Sequence, residues 1–350
     1  MLHIEDIVTV AAKRRASDIH LIAGLRIKCR IDGRIVDLAE NVLTAEDCEH
    51  LAKEMAGEYF DRIKDIGELD IGGYIASERV RINLFRQQGA ISAAIRILSD
   101  RIPELDSLGL PQVVNTFPGI QKGIILVTGE TGSGKSTTLA ALLDKINHTR
   151  NEHIITLEDP IEYVYSSDKC IINQREIGKD TESYQSGLKA ILREDPDVIL
   201  IGEMRDLETI ETALTAAETG HLVFATLHTN SAVSSIDRIV SVFPDSKQQQ
   251  IRLQLSASLK AVLSQQLLPR ASGKGRVVAA EVMMLTTALQ NLIREGKTHQ
   301  MHSFMLSSSE QGSITMDNCL IKLANEGKIS TDTAIDASVD RDYVKKKLVG

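Results

Sequence analysis

Tryptophan is absent from this chain, and only six tyrosines and six phenylalanines supply aromatic rings. Surfaces that bind single-stranded nucleic acid stack bases on such rings, so their scarcity argues against one. An excess of positive charge is missing too. The formal net charge is -8, whereas grip on a phosphodiester backbone needs a basic face. No stable nucleic-acid binding is expected. The four cysteines, Cys29, Cys48, Cys170 and Cys319, stand far apart with no CxxC pair. That spacing supports neither a zinc knuckle nor a disulfide framework, and it fits reduced thiols in a cytoplasm. No run approaches the roughly 18 apolar residues of a membrane span. The opening MLHIEDIVTVAAKRRASDIH lacks the order of charge, apolar core and small-residue site that marks a secretory signal.

What is present, in 350 residues, is enough chain for two domains with separate cores. Residues 1–100 read as a small α+β unit. IEDIVTVAAKRR has apolar residues at helical spacing, and TAEDCEHLAKEMAG opens on Thr44 as an N-cap and closes on Gly57. DIHLI, RIKCRI, GELDIGGYIA, ERVRINLFRQQ and AISAAIRIL read as strands, and Asp32-Gly33 as a hairpin turn. Pro103, Pro111 and Pro118 cluster where a linker, 101–118, is expected. From 119 to 350 the pattern becomes α/β: KGIILVTG, HIITLEDP, PDVILIGE and HLVFATLH are apolar runs alternating with helices. Such runs predict a mostly parallel sheet covered on both faces. The last 90 residues read as helical.

The stretch GETGSGKS, between a strand and a helix, fits G-x-x-x-x-G-K-[ST] with Gly129, Gly134, Lys135 and Ser136. Its glycines let backbone N–H groups curl around a phosphate, and the following helix N-terminus adds its dipole. Lys135 is expected on the β/γ oxygens and the Ser136 hydroxyl on Mg²⁺. The nucleotide-holding set is Gly129, Thr131, Gly132, Ser133, Gly134, Lys135, Ser136 and Thr137, with ATP and Mg²⁺ as the ligands. A carboxylate at a strand end must serve the metal, and another must orient water. Glu203 closes one apolar strand; Glu158, Asp159 and Glu162 follow another, where capping or solvated-loop roles are the alternative. Both groups fall at carboxyl ends of strands, the side on which ligands lie in open α/β sheets.

His221 and His228 bracket one strand. Seven residues apart, they lie about 23 Å from each other and on opposite faces. His228, at the carboxyl end, suits a γ-phosphate sensor; His221 stands equally as a turn histidine. Positive charge for the transferring phosphoryl has no evident source in the phosphate-loop half. Arg79, Arg81, Arg86 and Arg96 on the N-terminal strands are the candidates, with solvated arginines as the alternative.

These motifs stand in an order that resembles the secretion and type IV pilus ATPases, and most closely the pilus retraction ATPases, the PilT family. SDIHL, LGLP, the phosphate loop, LEDPIEY, ILIGEMRD, TGHLVFATLHTNSA, IDRIVSVFP and LSQQLLPR all carry it. The resemblance implies a PAS-like N-domain before a RecA-like ATPase domain, with nucleotide between them. It implies a cytoplasmic homohexamer at the inner face of the cytoplasmic membrane, driving pilus retraction and twitching motility through an inner-membrane platform protein, with a paralogous pilus ATPase as a further partner. It assigns Glu162 to polarising water and Glu203 to Mg²⁺ through water. Arg81 and Arg96 it assigns to the phosphates, and His221 and His228 to the family's His box. The four-cysteine insertion usual in extension ATPases is missing. The family's AIRNLIRE motif reads ALQNLIRE at 288–295, with Leu289 and Gln290 as departures. A nucleic-acid translocase on the same core and a weakly hydrolysing regulatory paralogue are the alternatives.

Overall fold

The computed structural model describes residues 2–31, 33–98 and 101–350, with side chains for all of these but 64 and 65. The chain divides into two compact units, Met1–Arg101 with Pro160–Val164, and Ile102–Asp159 with Tyr165–Gly350.

The first unit is a six-stranded antiparallel sheet with three helices. Its strands are β1 (Asp18–Leu21), β2 (Arg26–Ile31), β3 (Arg34–Val42), β4 (Glu68–Ile75), β5 (Glu78–Gln87) and β6 (Ala90–Ile97), in the order β3-β2-β1-β6-β5-β4. Alternation decides which face is buried: Ile19, Leu21, Ile27, Cys29, Val80, Ile82, Leu84, Ala93 and Ile95 join a core with Val8, Leu51 and Ile63 of the helices. Thr44 caps the helix Ala45–Ala56 in a reciprocal capping box with Asp47, and Gly57, at φ 51, ends it. Asp32 of the expected hairpin turn lies outside the described residues; the flanking strands pair with Ile31 opposite Arg34.

The second unit is built on seven strands: β7 (Gly123–Thr128), β8 (His153–Glu158), β9 (Ile171–Glu176), β10 (Val198–Ile201), β11 (Leu222–Leu227), β12 (Leu259–Pro269) and β13 (Arg276–Met284). Their order is β13-β12-β7-β11-β10-β8-β9, parallel throughout except for the β12–β13 pair. Every residue of β7, β10 and β11 is buried, as a sheet covered on both faces demands. Two core clusters pack against the sheet, one containing Leu214, Ile236 and Leu255, the other Leu142, Ile146 and Phe117. The β12–β13 hairpin corrects the helical reading of the last 90 residues. LKAVLSQQLLP has helix-favouring composition, but pairing with β7 on one side and β13 on the other overrides local propensity. Beyond it the chain is helical, and Asp317, 4% exposed, accepts the amides of Val339 (2.8 Å) and Asp340 (3.0 Å). Asp317→Ala strands both donors and should loosen the C-terminal helices by about 1–3 kcal/mol. Hydrogen exchange of residues 331–349 reads this directly.

All four cysteines are free and buried. Among the described residues no helix is long and apolar enough to cross a membrane.

Candidate functional site

Strand register builds the site. Thr128 at the end of β7 lies beside Leu227 of β11 and Ser264 of β12, and Ile201 of β10 lies beside Ala225. Gly129, Glu203 and His228 therefore leave the same carboxyl edge of the sheet. Gly129 N–H donates to the Leu227 carbonyl (3.3 Å), and Met204 N–H to that of Thr226 (3.1 Å).

The phosphate loop fits its expected ligand. Gly129, Gly132 and Gly134 have φ of 139, 82 and 95, a conformation that glycine adopts at little cost. At Gly129 space adds a second constraint, since a Cβ there would meet the Gln265 carbonyl at 2.3 Å and Ser133 Oγ at 2.6 Å. The helix Lys135–Thr149 starts directly from Gly134 with no side-chain cap, so its first amides are open to an anion. Ser133 Oγ is buried without a hydrogen-bond partner, an orphan that a phosphate oxygen would satisfy. The Lys135 ammonium donates to the Gly129 (2.8 Å) and Glu130 (2.9 Å) carbonyls.

Glu203 is ion-paired on both sides, with Arg205 at 2.7 Å and His228 Nε2 at 3.3 Å. Partial burial pushes its carboxyl upward, but Arg205 and then His228 outweigh this and hold it below the usual range. That favours its ionised form. Tyr184 lies beneath: a Cβ on Gly202 would meet its hydroxyl at 2.8 Å. Burial, then the Asp159 charge, pushes that phenol well above its ordinary value, so it remains protonated. Glu158 accepts from Thr156 (2.7 Å) and Gln174 (3.1 Å) at the end of β8.

His221 sits at the opposite end of β11, its Nδ1 2.9 Å from the Ala216 carbonyl and 3.2 Å from Thr219 Oγ1. The seven-residue spacing thus separates it from His228 within one chain. Glu162 lies on Pro160–Val164, in the first unit with the arginines. There Arg79, 6% exposed, donates to the Ile161 carbonyl (2.6 Å) and stacks over Tyr74. Arg81 and Arg96 are direct cross-strand neighbours. Arg81 pairs with Asp70 (2.9 Å) and Arg96 with Asp18 (2.9 Å). Like charges side by side repel, and the flanking acids offset that; both guanidiniums remain partly open to solvent.

A cleft of about 310 Å³ opens beside Gly134 and Thr137, lined by Leu108–Leu110, Leu267, Arg270, Arg276 and Val277. LGLP supplies one wall of it, and LSQQLLPR, quoted above for the resemblance, ends on Arg270; Arg276, which opens β13, had no sequence signal. A second cleft, about 440 Å³, borders Glu130–Ser133, Asn230 and Asp336–Val339.

The family model described as "Type II/IV secretion system protein" matches residues 2–331. The chain belongs to the type II/IV secretion system protein family. Its similarity to "Type IV pilus retractation ATPase PilT" of Pseudomonas aeruginosa is 43% identity over 342 residues, 95% of this chain and 97% of that one. With the "Twitching motility protein" of Neisseria gonorrhoeae it is 43% over 310 residues, 88% of this chain and 82% of that one. A crystal structure of "the Pilus Retraction Motor PilT and Bound ADP" superposes with a TM-score of 0.92 at 47% identity, covering 99% and 100% of the two chains. Its own phosphate loop and its place in the secretion family together make this chain an ATPase.

Proposed function

We propose that the chain is a Mg²⁺-dependent ATPase motor of type IV pilus retraction. It works as a homohexamer on the cytoplasmic face of the inner membrane against a platform protein, with a paralogous pilus ATPase as a further partner. The observation that carries this most is full-length similarity to a retraction ATPase, combined with a phosphate loop whose buried Ser133 hydroxyl and Gly129 close approach suit a phosphate.

ATP is the substrate. The loop amides and Lys135 bind its phosphates, Thr137 lies toward the α-phosphate, and the nucleoside occupies the cleft beside it. Ser136 and, through water, Glu203 would hold Mg²⁺, which when bound would neutralise phosphate charge. His228, hydrogen-bonded to Glu203, reports the γ-phosphate. Glu162 orients and deprotonates the attacking water. Arg81 and Arg96 exchange Asp70 and Asp18 for phosphate oxygens and stabilise the charge that develops on the transferring group. Of the two box histidines, His221 serves to hold the strand's start.

The test is steady-state phosphate release by the purified chain with Mg²⁺ and with EDTA, alongside its mass in solution, and pilus retraction in cells lacking the gene. Turnover that needs Mg²⁺, a hexamer mass and restored retraction support the motor. ATP binding without turnover sinks it and favours the regulatory reading.

A further inference from the structure

Two imidazoles and a carboxylate meet in the first unit, apart from every residue assigned above. His3 precedes the helix Ile4–Lys13; His50 and Glu54 are one turn apart on the helix Ala45–Ala56. An i, i+4 spacing sets both side chains on one helical face. His3 Nδ1 is 2.9 Å from Glu54 Oε1, and His50 Nε2 is 3.2 Å from the same oxygen. One ligand atom from each residue lies within 4.8 Å of the other two.

We propose that His3, His50 and Glu54 form a binding site for a transition-metal dication of the zinc or nickel class, tying the start of the chain to the second helix. A metal with bonds of about 2.1 Å in tetrahedral array needs donors about 3.4 Å apart. The two nitrogen-to-carboxylate distances, 2.9 and 3.2 Å, are near that spacing already, and the two nitrogens lie within 4.8 Å of each other. Two observations favour a metal over a simple ion pair. His50 Nε2 is shielded from solvent, and despite its 3.2 Å approach to Glu54 its orientation makes no hydrogen bond. A buried ring nitrogen without a partner is what a metal would satisfy. Glu54 is also held in place from behind: its other oxygen accepts the Ile4 amide at 3.0 Å, the kind of support that fixes a metal-ligating carboxylate.

The donor set chooses the metal. Two nitrogens and one carboxylate suit zinc, nickel or cobalt, whereas Mg²⁺ and Ca²⁺ prefer oxygen. The His3 side chain is 59% exposed, which leaves an entry path and a coordination position for water. Once bound, the ion closes a loop between residues 51 apart in sequence. Metal that binds the folded chain alone stabilises it as its concentration rises.

The experiment uses the untagged, full-length, nucleotide-free chain, titrated with Zn²⁺ and separately with Co²⁺. Calorimetry, thermal unfolding and the cobalt ligand-field spectrum are recorded for wild type, His3→Ala, His50→Ala and His228→Ala. The tightest equivalent should raise the unfolding temperature and give a nitrogen-ligated cobalt spectrum. It should weaken at least about tenfold in His3→Ala and His50→Ala and persist in His228→Ala. Mg-ATP turnover without added transition metal should be unchanged in His50→Ala, showing that the variant is folded. Retention of the tightest equivalent in both His3→Ala and His50→Ala, or its loss only in His228→Ala, overturns the proposal.

Discussion

Lys135→Ala should lower ATP turnover by at least about 10²- to 10³-fold, the scale of losing one preorganised charge from a transferring phosphoryl group. The ammonium already sits at the mouth of the loop, 2.8 Å from the Gly129 carbonyl and 2.9 Å from that of Glu130. Nucleotide phosphates would take it from those carbonyls, trading neutral acceptors for ionised ones. Folding should survive, because the residue is the first of the helix Lys135–Thr149 and alanine is the strongest helix former. Phosphate release, nucleotide binding and thermal unfolding are measured together. A variant that still hydrolyses within tenfold of wild type would place hydrolysis somewhere other than this loop.

Gly129→Ala should be nearly as damaging, through shape instead of charge. Its φ of 139 costs an L-residue about 1–3 kcal/mol. The added Cβ would also overlap the Gln265 carbonyl at 2.3 Å, and that backbone belongs to β12 and cannot swing aside. Either the loop opens or the strand moves, so both unfolding temperature and nucleotide affinity should fall. Gly132→Ala is the matched control. Its φ is 82, but nothing lies within 4 Å of its Cβ, so only the backbone cost applies. Equal damage from the two substitutions would remove close approach as the cause.

Buried Glu281 gives a titration with a definite sign. Burial dominates there and raises its carboxyl, although it accepts the amides of Ala232 (2.7 Å) and Met316 (3.2 Å). An acid whose folded value is raised holds its proton longer in the folded state. Its contribution to stability is present at low pH and is lost as pH climbs from the unfolded value of about 4.3 toward the folded one. The stability of Glu281→Gln minus that of wild type should therefore rise with pH over that window. Urea unfolding at a series of pH values checks this, and a difference that falls with pH would reverse the sign.

The parallel sheet was legible because β7, β10 and β11 are apolar runs too short for a buried helix and alternate with helical segments. The phosphate loop was legible because its glycines, lysine and serine are contiguous. The separation of His221 from His228 followed from strand rise alone. Other features depend on long-range pairing. The β12–β13 hairpin is written in leucine, glutamine and alanine, which locally suit a helix. Arg81 and Arg96 are 15 positions apart in the chain, and only the β5–β6 register makes them neighbours. Asp18 and Asp70 could not have been named as their partners without it. Arg205, two residues past Glu203, stood in plain view, yet nothing local says that it turns back to pair with that carboxylate.

Pro160–Val164 belongs to a unit whose remainder ended at Arg101, so the polypeptide passes from one unit to the other three times. Cutting the chain after residue 101 would not release a self-sufficient fragment. It would leave Arg79, buried at 6% exposure, without the Ile161 carbonyl it donates to. The piece that remained would keep the Tyr74 ring beside that guanidinium but lose its carbonyl acceptor. A segment of five residues, borrowed from the middle of the chain, thus makes the first hundred residues dependent on a part of the sequence synthesised well after them.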